Sequence, residues 1–203
     1  MLLICLVLCS YAGTHVQSQI FLKVNAGAGI TVPGTGPGGW IQGESTNDTY
    51  RDQIEVLAYS NGIAGCPAGT RASGGGGQSA CKTSISALTF VMSLNKSVIP
   101  MKALALSGRV IPNVEFTFVR QRSESQNEYY KIRMEDVLIS SIQESGSESE
   151  RPTFSVEFDA RRIAWGYRVQ KPDGNMGNYV TTGWDVATNK AWNFTFPPSS
   201  TTY

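Results

Sequence analysis

The alternation of apolar and polar side chains in two separate runs, residues 53–60 and 130–141, most constrains how this chain folds. Successive side chains of a β-strand point to opposite faces, whereas an amphipathic helix repeats its apolar residues every three to four positions. Both runs place apolar residues at every second position and charged residues between them. Each run therefore predicts a half-buried strand, and we expect β-structure to form most of the fold.

Further alternating runs continue along the chain and are joined by polar or glycine-containing connections. They cover residues 20–24, 83–94, 114–120, 129–141, 153–159, 162–170, 179–185 and 191–196. Residues 83–94 are apolar on both faces, which predicts a strand covered on both sides. This spacing of short strands is typical of a β-sandwich or barrel.

A single helix is predicted between these strands. Ser97 is placed to cap its N-terminus, and Pro100 is tolerated in its first turn. Met101 and Leu104 belong to an apolar stripe, and Gly108 supplies the left-handed residue that ends the helix.

The N-terminal segment is predicted to be a secretory signal, and a membrane anchor and a buried N-terminal strand stay open as alternatives. Residues 1–18 carry no Lys, Arg, Asp or Glu, and their apolar block is too short to span a bilayer. Small residues precede a cleavage position near Ser18. We therefore expect a signal peptide at 1–18, one domain at 19–196, a flexible tail at 197–203, and no membrane association after cleavage.

Charge and residue types argue against several classes of function. Lys plus Arg number 17 against 16 Asp plus Glu, and the basic residues form no one-sided stripe, so nucleic acid is not an expected partner. The one histidine, His15, lies in the predicted signal, which removes the commonest general base and metal ligand. Glu135 and Asp136 are adjacent and would point to opposite faces of a strand. We expect no catalytic site, cofactor or metal.

Glycine-rich motifs offer no phosphate site. Residues 34–39 match the spacing G-x-G-x-x-G, but Pro37 and the absence of a following helix contradict a dinucleotide-binding loop.

The acidic loop at 144–150 lacks a regular ladder of oxygen ligands, so a solvated hairpin is favoured over a calcium site. Trp165 and Trp192 are expected in the core, whereas Trp40, in a glycine-rich loop, is expected to be an exposed contact residue.

Two cysteines remain after removal of the predicted signal. Cys66 and Cys81 flank a glycine-rich loop, and in an exported protein a disulfide between them would constrain the unfolded chain by about 3 kcal/mol. In a cytosolic protein they would instead be two unpaired buried thiols.

Five segments in the same order resemble the haemolysin-coregulated protein (Hcp) family, the tube subunits of type VI secretion. They are residues 21–24 with 43–45, the run 53–60, the run 130–141, the loop ending at 150–153, and residues 183–191. The resemblance implies a mainly β fold, an Hcp-like barrel of two packed antiparallel sheets with one flanking α-helix. It further implies homo-hexameric rings that stack into a hollow tube.

The resemblance assigns ring stacking to the loop at residues 62–82. Its expected contact residues are Gly62, Gly74, Gly75, Gly76, Gly77 and Lys82. Cys66 and Cys81 bracket the tip, where a disulfide would lower the ordering cost of docking. Secreted effector cargo and sheath or spike components are the further partners that the family implies.

The sequence departs from the family pattern in its predicted signal and in an insertion at residues 28–42. The signal favours a secreted protein that crosses the periplasm and forms filaments outside the inner membrane. Cytoplasmic assembly followed by type VI export stays open as the alternative location. A monomeric or low-order extracellular binding module, with the insertion as its ligand loop, stays open as the alternative function.

Overall fold

The computed structural model describes residues 17–28, 32–65, 83–122 and 125–197, and the structural statements below concern these residues. Their twelve strands and one α-helix are β1 (Gln17–Asn25), β2 (Trp40–Ile41), β3 (Ile54–Val56), β4 (Ala58–Ser60), β5 (Ile63–Ala64), β6 (Ser84–Ile85), β7 (Leu88–Ser93), α1 (Val98–Ser107), β8 (Ile111–Arg122), β9 (Ser125–Ser147), β10 (Glu150–Tyr167), β11 (Val180–Asp185) and β12 (Lys190–Ala191).

The strands form an antiparallel sheet of ten strands and a separate ribbon of two, β5 and β6. In the large sheet β1 pairs with β8, β8 with β9, and β9 with β10. β10 then pairs with β7 through residues 153–158 and with β11 through residues 162–167. β3 pairs with β1 and β4 pairs with β7, with Leu57 between them. The sheet therefore curls around its core without closing, which confirms the expected mainly β fold with one flanking helix.

The core lies on the inward face of this curled sheet. Phe90, Phe116 and Phe158 are fully buried, with ring centroids 4.9 to 6.4 Å apart. In β7 the inward residues are buried and the outward residues are half-buried. The expectation that residues 83–94 form one strand covered on both sides is therefore wrong. Residues 86 and 87 interrupt the run, because β6 pairs with β5 rather than with the large sheet.

The structure confirms the predicted location of the helix and the residue that ends it. Val98, Met101 and Leu104 are buried against the sheet, and Gly108 has a left-handed φ of 58°. The Ser97 side chain makes no capping bond, because its hydroxyl donates to Asn95 Oδ1. Asn95 Oδ1 also accepts the Ser97 N–H at 2.9 Å, so the preceding residue organises the start of the helix.

Two strand boundaries differ from the predictions. Residues 153–159 and 162–167 belong to one strand, β10, which ends at Tyr167 rather than at the predicted residue 170 and has a register shift against β9 between Glu157 and Phe158. The predicted strand at 191–196 is short, since β12 ends at Ala191. The following residues pack over the sheet as an extended segment. Trp165 packs against the core and the Trp192 ring contacts the Phe194 ring at a tilt of 42°, and both tryptophans are half-buried.

Several terminal predictions lie outside the described residues. Residues 1–16 hold most of the predicted signal, and β1 begins at Gln17. Residues 198–203 hold most of the predicted tail. The signal peptide, its cleavage near Ser18 and the flexible tail stay predictions.

Candidate functional site

The base of the predicted stacking loop is a hydrogen-bonded ribbon. β5 pairs with β6 through Ile63 with Ile85 and Ala64 with Ser84. Below this ribbon the Gly62 N–H donates to Ser86 Oγ at 2.8 Å, and the Ser86 N–H donates to the Gly62 carbonyl at 2.9 Å. The chain therefore leaves at residue 65 and returns at residue 83 from neighbouring positions, as a projecting loop requires.

The other predicted residues of this loop lie outside the described part of the chain. They are Cys66, Gly74, Gly75, Gly76, Gly77, Cys81 and Lys82. Their roles in a disulfide and in stacking stay predictions. Gly62, the remaining predicted contact residue, lies in the described part of the chain and is exposed.

Trp40 is placed differently from its prediction. It belongs to β2, which pairs with the end of β1, and its side chain is half-buried. The Lys23 ammonium lies 5.4 Å from the centroid of its ring. The expectation that Trp40 is an exposed residue of a glycine-rich loop is therefore wrong, while its role as a contact residue stays a prediction.

A network of buried ion pairs on the outer face of the sheet centres on Glu128 of β9. Its carboxylate lies 3.2 Å from Lys131 Nζ and 3.5 Å from an Arg168 guanidinium nitrogen. It also accepts hydrogen bonds from the hydroxyl groups of Tyr50, at 2.9 Å, and Tyr179, at 3.4 Å. Burial first, and then this carboxylate, raise the pKa of both tyrosines, so they remain neutral donors. Glu128 thereby holds together the loop before β3, strand β9 and the segment before β11.

The ion pairs continue across the sheet toward β11. Arg133 lies between Glu115, at 3.7 Å, and Glu135, at 3.9 Å. Arg162 links Glu135, at 3.1 Å, to Asp185, at 3.3 Å. The Thr188 backbone N–H donates to Asp185 and is the first cause that lowers the pKa of this carboxyl group.

Glu135 and Asp136 each pair with an arginine of β10. Asp136 has a left-handed φ of 51° and pairs with Arg161 at 3.7 Å, next to the pair of Glu135 with Arg162. Each carboxylate is thus neutralised by its own arginine, and the two face no common cleft. Such an arrangement joins strands and does not resemble a general acid and base pair.

Among the residues that the structure describes, no group of three or more His, Cys, Asp or Glu side chains is arranged to hold a metal ion. In residues 17–28, 32–65, 83–122 and 125–197, no helix has the length and apolar character needed to span a membrane.

The C-terminal segment covers the outer face of β10 and β11 at two glycines. A Cβ on Gly166 would lie 2.5 Å from the Phe196 ring, and one on Gly183 would lie 2.5 Å from the Trp192 carbonyl oxygen. Phe196 is 3% exposed as a result. Arg162 lies over the Trp192 ring at 5.9 Å, so the aromatic segment and the ion pairs form one surface layer.

Two larger open cavities flank the core. One, of about 410 Å³, lies between the β5–β6 ribbon and the sheet, and its lining includes Ile63, Tyr130, Trp165 and Trp184. The other, of about 400 Å³, is a groove between α1 and β9 with Leu106 on its rim. Neither contains a cluster of groups suited to catalysis. The first is lined mainly by apolar side chains, whereas the groove beside α1 combines apolar side chains with Lys102 and Glu144.

Comparison with known proteins identifies relatives of this fold. The profile of the family described as "Type VI secretion system effector, Hcp" matches residues 21–167. Protein hcp1 of Pseudomonas aeruginosa is 33% identical over 153 residues, which cover 74% of this chain and 93% of that protein. A solved type six secretion system protein superposes with a TM-score of 0.69 at 24% identity, covering 87% of this chain and 100% of that chain. Hcp1 of Salmonella typhimurium superposes with a TM-score of 0.62 at 24% identity, covering 86% and 99%. The two structures support the fold, and the profile and the sequence relative support the family.

Proposed function

The chain belongs to the Hcp family of type VI secretion, and on that premise we propose that it is a non-enzymatic structural subunit. It assembles into hexameric rings, and the rings stack into a hollow tube. The observation that carries this proposal is the family match, which runs from β1 to the end of β10 and so spans the strands that enclose the core.

The site geometry supports a structural role. The charged residues of the network from Glu128 to Asp185 are paired across strands, and the cavity beside the β5–β6 ribbon is open and lined mainly by apolar side chains. A subunit that repeats around a ring and along an axis needs a rigid body with separate contact surfaces, because both contacts are heterologous. The projecting base at β5 and β6 supports the 62–82 loop as the contact between rings.

Export in oxidised form is the finer part of the proposal. The predicted signal would place the protein in the periplasm or outside the cell, where Cys66 and Cys81 form a disulfide that restrains the loop. Effector cargo, or sheath and spike components, would be its partners if a complete injection machine is present. Mass spectrometry of the secreted protein tests both parts. The N-terminal residue shows whether the signal has been cleaved, and a mass increase of about 2 Da on reduction shows whether Cys66 and Cys81 form a disulfide.

Negative-stain electron microscopy of protein purified under non-reducing conditions tests the assembly. Six-fold rings or hollow filaments are expected. Uniform monomers at high protein concentration would refute the ring proposal and favour the alternative of a small extracellular binding module on the same fold.

A further inference from the structure

Helix α1 is apolar on two opposite sides. Its inward side chains, such as Met101 and Leu104, are buried in the core. Its outward side carries Ile99, which is 60% exposed, and Leu106, which is 90% exposed, with Ala103 between them. Residues four and seven positions apart lie on one side of a helix. A helix that is apolar all round is normally covered on both sides, so the outward stripe indicates a contact surface.

The region beside this stripe is open to another molecule. The pairing of β8 with β9 begins at Ile111 and Val137, whereas β9 continues to Ser147. On the side of β8, no described strand pairs with β9 beyond Val137. The groove of about 400 Å³ lies here, between Leu106 and residues 139–142. A partner can therefore approach the outward side of α1 without displacing a strand.

The charge around α1 indicates an acidic partner surface. Residues 95–110 contain Lys96, Lys102 and Arg109 and no Asp or Glu. Lys96 and Lys102 pair with exposed carboxylates of the same chain, which leaves Arg109 with no ion pair among the described residues. The preferred partner surface therefore carries negative charge and has small side chains that leave room for a helix.

The outer face of β4, β7 and the first half of β10 has these properties. Paired positions across it carry small side chains: Ala58, Ser60, Thr89, Val91, Ser93, Thr153 and Ser155. The only charged side chains of residues 58–60, 88–93 and 153–159 are Glu157 and Asp159. Neither makes an ion pair among the described residues, so both are available to cations of a docked helix.

We propose that the outward side of α1 docks on the outer face of β4, β7 and β10 of a second copy of this chain. This inference rests on the proposed ring function and names the contact within the ring. The two surfaces differ, so the contact is head-to-tail and closes by rotation, as a cyclic ring requires. Leu106 is the central apolar contact, and Arg109 faces Glu157 and Asp159 of the neighbour.

Substitution of Leu106 gives the first test. Leu106→Glu places a charge at a position that is 90% exposed in the subunit, so the fold and thermal midpoint stay unchanged. Loss of the buried leucine should raise the protein concentration for half-assembly by roughly 100-fold, measured by mass photometry and sedimentation velocity. Val180→Glu is the matched control, since Val180 is 77% exposed on β11, away from both surfaces, and should assemble as wild type.

A mixing experiment then tests the head-to-tail geometry. Ser155→Arg blocks the sheet surface and leaves α1 intact, so it should also be monomeric, with an unchanged circular dichroism spectrum. Mixed with Leu106→Glu, it should form a one-to-one dimer and nothing larger, because one intact surface of each kind remains. If the wild type forms rings, then monomers in this mixture, or normal rings formed by Leu106→Glu, would overturn the proposed contact. A wild-type chain that never assembles would instead refute the ring function itself.

Discussion

Removal of the Lys131 charge should destabilise the fold far more than removal of an exposed lysine. Lys131 is 8% exposed, and its Nζ lies 3.2 Å from Glu128 and 3.5 Å from Glu115. The variant Lys131→Met keeps the length of the side chain and removes its charge, so it isolates the ionic contribution from packing.

The magnitude follows from the distances. At 3.2 Å and an effective dielectric constant near 20, one such pair has a Coulomb energy of about 5 kcal/mol before desolvation is subtracted. Breaking a buried pair by removing one partner typically costs about 3 to 5 kcal/mol. Glu128 keeps Arg168 and two hydroxyl donors, which offset part of this loss. We therefore expect the free energy of unfolding to fall by about 2 to 3 kcal/mol.

Urea denaturation followed by tryptophan fluorescence measures this change, at a protein concentration below assembly. Lys96→Met is the control, because its pair with Asp52 spans 3.5 Å between side chains that are 45% and 56% exposed. Its expected loss is below about 0.5 kcal/mol. Equal losses for the two variants, or a loss below 0.5 kcal/mol for Lys131→Met, would refute the assignment of the buried network as a stabilising element.

Three further predictions concern pH, backbone and redox state. Burial raises the pKa of Tyr130 to about 12, so the folded state retains a proton that the unfolded chain releases near pH 10. The stability that this proton provides is present below pH 10 and is lost as the pH rises toward 12. The absorbance at 295 nm of the folded wild type minus that of Tyr130→Phe should therefore show no tyrosine ionisation near pH 10. Gly39→Ala should lower the thermal midpoint far more than Gly174→Ala: both glycines have a positive φ, but only at Gly39 would a Cβ lie 2.2 Å from a backbone oxygen. Replacement of Cys66 and Cys81 by serine should reduce the length of stacked filaments in electron micrographs and leave single rings intact, and filaments of unchanged length would contradict it.

The strands were predictable where alternation stays in phase. Residues 130–135 keep one phase within β9, and Ile132 and Met134 are buried as a period of two requires, whereas after Asp136, with a φ of 51°, the buried residues are Val137 and Ile139. The run through β10 was divided into two predicted strands, because its buried positions change from even numbers, up to Phe158, to odd numbers at Ile163. A change of phase within one strand looks, in a single sequence, like the boundary between two strands.

The ion-pair network was not predicted, although half of it is visible in the sequence. Lys131, Arg133 and Glu135 alternate with apolar residues and so share one face of β9. Their partners come from the register of β8 against β9, which places Glu115 opposite Arg133. Alternation fixes the face on which a side chain lies, whereas the identity of the cross-strand neighbour depends on turn geometry and on bulges such as the shift between Phe118 and Val119.

The structure also indicates where a disulfide between Cys66 and Cys81 would act. The ribbon below it has exposed side chains at Ile63 and Ala64, and it pairs with no strand of the large sheet. Segments with few buried contacts open locally before the core unfolds. The loop-closure entropy of about 3 kcal/mol acts on every state in which the ribbon is open, so it opposes local opening of the ribbon as well as global unfolding. Hydrogen exchange under native conditions should then show reduction accelerating exchange at residues 61–65 and 83–86, where local opening dominates. Unchanged exchange at these residues after reduction would mean that the two cysteines do not restrain the ribbon.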